Sequence, residues 1–275
     1  MTIARKMWNS EFIQSNGIKL HYTRTGGAHP IMVLLHGFSD DGLCWSPIAD
    51  HLQHAWDLIM VDARGHGKSD GPVAGYGYDQ HAADVAGLIT ALKLEKPTVT
   101  GHSMGAITAL TLAAMHPMLP RAIILEDPPP LWSPPVILAS ERNRRGGMSQ
   151  WIVELKRKTR EEMLTACRTS SPTWPEAELG PWADSKLRFS FNVLGDYGAP
   201  PVALRETLPA ITCPALLITS DNALGGITNP TQAADLKTLI PHLTIRNIQG
   251  AGHSIRREQP AAFLDTLSTF ISSLD

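Results

Sequence analysis

The sequence predicts an α/β fold built on a mostly parallel sheet with helices on its faces. Short apolar, β-branched runs alternate with longer stretches of helical periodicity. Ile31–Leu35 is almost wholly apolar, as a strand buried on both faces should be. The chain has 275 residues, 43% apolar and 18% charged, enough to bury a substantial core in one large domain or one domain with an insertion.

Taken in order, Phe12–Thr25 reads as a hairpin turned by Asn16-Gly17, a pair that readily accepts positive φ. Ile31–Leu35, Leu58–Val61, a strand ending at Val99–Thr100, Ala122–Leu125, Ala215–Thr219 and Leu243–Ile248 complete an eight-stranded set. Helices are expected at about 79–93, 103–116, 230–240 and 257–271. The last carries Phe263, Leu264, Leu267 and Phe270 at helical spacing and should pack on the sheet.

The alternation stops at Pro128-Pro129-Pro130, and no strong strand follows until about Leu208. Residues 1–127 and 209–275 are therefore expected to form the core, with 128–208 a helical cap inserted after the sixth strand. Trp132, Trp151, Trp174, Trp182 and Phe189 fall within it. Residues 141–168 carry an excess of Arg and Lys, either a solvated helix face or a rim that attracts anions, the former being preferred.

Composition narrows the function. A net charge of −2 offers no global basic excess for gripping nucleic acid. Cys44, Cys167 and Cys213 are too few and scattered for a disulfide framework, and no Asp/Glu/His/Cys spacing suggests a metal. No apolar run could span a bilayer, and no apolar stretch follows Arg5 and Lys6 as in a secretory signal, so a cytoplasmic location is expected. The expected ligand is a small molecule, with no cofactor.

The chemistry-bearing motif is Gly101-His102-Ser103-Met104-Gly105, after an expected strand and opening an expected helix. A serine there sits on a sharp turn that exposes its Oγ above the sheet edge, and the glycines remove side chains that would clash. Serine is a weak nucleophile without a neighbouring base. His253, in Gly250-Ala251-Gly252-His253 after the last strand, is placed to supply one from the same edge. His36 and His102 are expected to line the site, and no catalytic role is assigned to His66.

With these motifs the chain resembles the α/β-hydrolases over nearly its whole length. His36-Gly37-Phe38 is similar to the family's HGx oxyanion element, and Asp62-Ala63-Arg64-Gly65-His66-Gly67-Lys68-Ser69 to its D-x-R-G-x-G-x-S loop. The resemblance implies an oxyanion hole from the backbone N–H groups of Phe38 and Met104, and a nucleophile–acid–histidine order. The acid departs from the usual pattern. Most members carry it in a GxxD turn after the strand matching Ala215–Thr219, where this chain has Ala223. Asp127, at the end of the strand Ala122–Glu126, is favoured, as in some dehalogenase and lactonase branches. Asp221 is the alternative, with Glu126 behind both.

The implied activity is cleavage of carboxylic esters through an acyl-enzyme on Ser103. A lactonase opening a cyclic ester is the closest competitor, followed by a carbon–carbon bond hydrolase of ring-cleavage products. An amidase would have to protonate a poorer leaving group. Outside enzymes, the same scaffold could serve as a ligand receptor, although the intact Ser103, His253 and HGF element count against this. Trp45, Trp132, Trp151 and Phe189 are expected to contact substrate, with Phe38, Met104 and Met148 near them. Asp40, Asp41 and Asp62 read as loop-turn or surface acids.

Overall fold

The computed structural model describes residues 8–133, 147–196 and 204–274. Asn9–Ser15 (β1) and Ile18–Arg24 (β2) form the expected hairpin. Its turn places Asn16 and Gly17 at φ 46° and 78°, and two successive positive angles match the strands' own twist. Ile31–Leu35 (β3), Ser46–Leu52 (α1), Asp57–Val61 (β4), Tyr78–Ala91 (α2), Thr98–His102 (β5), Met104–Met115 (α3) and Ala122–Glu126 (β6) follow.

Next come helices at 147–155 (α4), Arg160–Ser170 (α5), Glu176–Arg188 (α6), Val193–Asp196 (α7) and Leu204–Thr207 (α8). Ala215–Thr219 (β7), Pro230–Leu239 (α9), Leu243–Asn247 (β8), Ile255–Glu258 (α10) and Pro260–Ser272 (α11) complete the chain. The single helix expected at 257–271 is broken before Pro260, whose ring disfavours helical backbone at Gln259 (φ −134°, ψ 60°). Arg142, Arg144 and Arg145 of the basic stretch lie outside the described residues.

The eight strands form one sheet in the order β1-β2-β4-β3-β5-β6-β7-β8, with β2 antiparallel to both neighbours and β3 to β8 parallel. Side chains alternate across the central strands. Val33, Leu35, Ile59, Val61, Val99, Ile123, Leu125 and Leu217 face a core closed by α2, α3 and α9. Met32, Leu34, Leu58, Met60, Ile124, Leu216 and Ile218 face a second core closed by α1 and α11. With both faces covered, the strands must be apolar throughout, which is why they are so legible in sequence.

The helices between β6 and β7 carry their own apolar cluster, with Ile152, Met163, Leu164, Leu179, Trp182, Phe189 and Val193 buried together. They are tied to the sheet by charge. Lys186 Nζ donates to Asp40 Oδ1 at 2.7 Å, and Arg188 Nε donates to Asp41 Oδ2 at 2.8 Å. Among the described residues, no helix is long and apolar enough to cross a membrane.

Candidate active site

The site forms at the C-terminal ends of the parallel strands, where open α/β sheets bind ligands. Ser103 follows β5 and precedes α3 with φ 52° and ψ −112°, a strained conformation for a residue with a Cβ. Its N–H donates to Glu126 O at 2.9 Å, while its carbonyl accepts from Ala106 and Ile107. The flanking glycines are sterically required: a Cβ on Gly101 would lie 2.2 Å from Gly105 O, and one on Gly105 2.2 Å from Leu35 O. The turn thus presses α3 against β3 and lifts Ser103 above the sheet.

Asp127 also has positive φ, 41°, and its carboxylate is fully buried. It lies 2.8 Å from His253 Nδ1 through Oδ2, accepts the Ile227 N–H on Oδ2 at 2.9 Å and accepts the Thr228 N–H on Oδ1 at 3.0 Å. The glycine-rich loop that lacks an acid at Ala223 therefore supplies two backbone donors to the carboxylate of the neighbouring strand. Asp221, the alternative, instead accepts the Gly250 N–H at 2.7 Å and braces the turn before His253. Glu126 is fully buried and accepts from Arg256 N at 2.8 Å and Arg256 Nη1 at 3.1 Å.

Ser103 and His253 both line a cavity of about 460 Å³, together with Gly37, Phe38 and His102. His102 stands with its ring centroid 4.7 Å from that of His253, and its Nε2 is 2.9 Å from the His253 carbonyl oxygen. A carbonyl only accepts, so this nitrogen carries the proton. Burial, assisted by Arg256, holds the His102 pKa well below the usual imidazole range, and the ring is neutral.

Two further histidines shape the Phe38 loop. His66 Nε2 accepts from Ser39 N at 3.3 Å, and His36 Nε2 accepts from Ala63 N at 3.0 Å. Both are buried and brace the chain after β3 against the chain after β4. His36 is thus a support rather than a cavity-lining residue.

Several expectations need correcting. Trp45 is not in the cavity. It is buried beneath the sheet against Phe263, with the Arg256 guanidinium 4.3 Å above its ring. Trp132 is buried with α8, donating Nε1–H to Gln232 O at 3.0 Å. Phe189 is buried edge-on to Phe38, 5.2 Å between centroids, so it supports a cavity wall without lining it. Met104 points into the core, whereas Trp151, Phe38 and Met148 do line the cavity.

The sequence could not reveal this partition, because a tryptophan reads the same whether it faces a cavity or a core. Trp174 and Trp182 line the cavity. Asp40, Asp41 and Asp62 are turn residues, but each is buried in a charged network and none is a surface acid. The basic residues of α5 are partly spent on surface pairs, Arg160 with Asp184 and Arg168 with Glu176.

Fold and strand-end geometry describe a hydrolase of the α/β class. The alpha/beta hydrolase family model matches residues 32–266, and the chain belongs to that family. N-formylmaleamate deformylase of Pseudomonas putida is 28% identical over 94% of this chain and 95% of its own. The 2-(acetamidomethylene)succinate hydrolase of Mesorhizobium japonicum is 29% identical over 91% of each. Est816, solved as an N-acyl homoserine lactone degrading enzyme, superposes with a TM-score of 0.73 at 25% identity, covering 94% of this chain and all of its own.

Proposed function

We propose that this chain is a serine hydrolase that cleaves small carboxylic esters through an acyl-enzyme on Ser103, with His253 as the base and Asp127 as the triad acid. The reading rests on one relationship above all: the imidazole held by Asp127 opens onto the same cavity as Ser103. With Nδ1–H directed at Asp127, His253 Nε2 is free to take the Ser103 proton as Oγ attacks the acyl carbon. The oxyanion is received by the N–H groups of Phe38 and Met104. The latter opens α3, where first-turn amides lack helical partners and the dipole favours negative charge. Each such donor is worth about 3–4 kcal/mol in the transition state.

Protonated His253 then passes its proton to the leaving alcohol, and water activated by His253 releases the acid. Residues 128–208 are read as the cap, whose α4, α5 and α6 bring Trp151, Ala166 and Trp182 to the cavity.

A second reading is favoured by the deformylase of Pseudomonas putida and the hydrolase of Mesorhizobium japonicum, since both names describe compounds with an N-acyl group. In that case the same machinery cleaves an amide, and His253 must protonate a poorer leaving nitrogen. Acid release in a pH-stat from matched linear esters, ring lactones and N-acyl amides, with Ser103→Ala beside them, tests both. Ser103-dependent ester turnover supports the first reading, with faster lactone opening marking a ring-shaped preference. Amide turnover exceeding ester turnover selects the second. Absence of Ser103-dependent acid from every member defeats both, leaving carbon–carbon cleavage or ligand binding.

A further inference from the structure

The cavity has an aromatic wall of Trp151, Trp174 and Trp182, but beneath it lies a cluster of buried charge. Lys186, Arg256 and Arg257 meet Asp40, Glu178 and Glu126 with little access to solvent. The cations differ in what they have left to offer. Lys186 donates to Ser39 O at 3.0 Å, Asp40 Oδ1 at 2.7 Å and Ser185 Oγ at 3.2 Å, which uses all three ammonium hydrogens. Arg256 lies over Trp45 and serves Glu126; its Nε and Nη2 have no hydrogen-bond partner among the described residues, but they are buried and do not line the cavity.

Arg257 lines the cavity with Ser103 and His253, yet its side chain is only 3% exposed. Its Nε donates to Glu178 Oε2 at 3.0 Å, its Nη2 donates to Asp40 Oδ2 at 2.9 Å, and Trp174 covers one face at 4.5 Å. Nothing among the described residues accepts from Nη1. A guanidinium held on one edge and open to the cavity on another is a donor pair that a ligand's acceptor can reach.

We infer that Arg257 is a specificity-determining residue whose Nη1 edge binds a carboxylate carried by the substrate in addition to its scissile acyl group. The inference rests on the hydrolase reading of this cavity and adds the substrate class, small acyl compounds bearing a second, ionised carboxyl group. Asp40 and Glu178 prevent the guanidinium from swinging away, so its planar fork is preorganised for two carboxylate oxygens. Three cations face three carboxylates, so recognition comes from directed donors and not from excess charge. Burial opposes the charge of Arg257, but Asp40 and Glu178 outweigh it and raise its pKa further.

Ethyl butyrate and monoethyl succinate differ only in a terminal methyl or carboxylate, which makes them the probes. Titration calorimetry on the Ser103→Ala protein reads binding apart from turnover. It should show the succinate monoester bound at least about tenfold tighter, the order of a hydrogen bond between charged partners. Adding Arg257→Lys should bring the two within about twofold, and in the active enzyme the same change should lower the kcat/KM ratio of succinate monoester to butyrate by about tenfold.

Equal binding of both probes overturns the inference, as does an equal loss for both on Arg257→Lys, which marks a purely structural residue. If Arg257→Lys fails to fold, the preference of the Ser103→Ala protein alone decides. A carboxylate preference without turnover by the intact enzyme upholds the anion site and defeats the ester reading. Turnover of both esters without any preference does the reverse.

Discussion

The Asp127 carboxylate lies 2.8 Å from His253 Nδ1, although 126 residues separate them in the chain. Asp127 follows β6 in a left-handed conformation, and His253 sits in the turn after β8, two strands away in the sheet. β7 lies between them, and the loop after it gives two amides to the carboxylate instead of an acid to the histidine.

Asp127→Asn should lower kcat/KM by about 10⁴, because an amide at that position no longer holds the imidazole in the tautomer that frees Nε2. Asp221→Asn should change kcat/KM by no more than about twofold, as its carboxylate only braces the Gly250 turn. Initial rates on the best ester decide between them. The opposite ranking would assign the acid to Asp221.

Gly105→Ala should cost about 3 kcal/mol or more in urea unfolding, since its Cβ would fall 2.2 Å from the rigid Leu35 carbonyl. Gly180→Ala, inside α6, is the contrast. Its Cβ meets only Arg160 Nη2 at 3.5 Å, so a gain of about 0.5–1 kcal/mol is expected from helix propensity. Equal effects at the two sites would contradict the close packing of α3 on β3.

Acid should destabilise the fold through its buried histidines. His66, His81 and His102 are buried, and burial lowers all three pKa values, that of His81 to about 3. Above about pH 6.5 neither state binds a proton at these sites. Below it the unfolded chain takes up protons that the folded chain refuses, so stability falls as pH drops toward the folded values. Three such groups set a limiting slope of about 4 kcal/mol per pH unit. Urea midpoints at pH 7.5, 6.5 and 5.5 test this, and stability unchanged down to pH 5.5 would refute it.

Trp45→Ala should destabilise by about 3–5 kcal/mol, because it empties the core against Phe263 and strips Arg256 of its stacking surface. Trp151 is 40% exposed at the cavity. Trp151→Ala should leave the unfolding midpoint nearly unchanged while raising KM about tenfold, the scale of one lost apolar contact surface. Thermal melts beside steady-state kinetics separate the two roles.

What the sequence determined by itself is the set of strands and the sharp turn at Ser103. Buried parallel strands must be apolar on both faces, so Ile31–Leu35 and Ala215–Thr219 are bounded in sequence as they are in space. The Ser103 turn is equally legible, because only glycine fits at 101 and 105 beside neighbouring backbone. The helix break before Pro260 and the supporting roles of His36 and His66 left weaker marks.

The tertiary structure alone decided which distant side chains meet. Asp127 and Asp221 both follow strands and are alike in local pattern, and only the approach of the 225–228 loop and the His253 turn separates a carboxylate beside imidazole from one bracing backbone. The same holds for Trp45 and Trp151, and for Asp40, whose burial needs Lys186 from α6 and Arg257 from α10. Local propensity is written along the chain, whereas burial and pairing are properties of surfaces that exist only once strands and helices have packed.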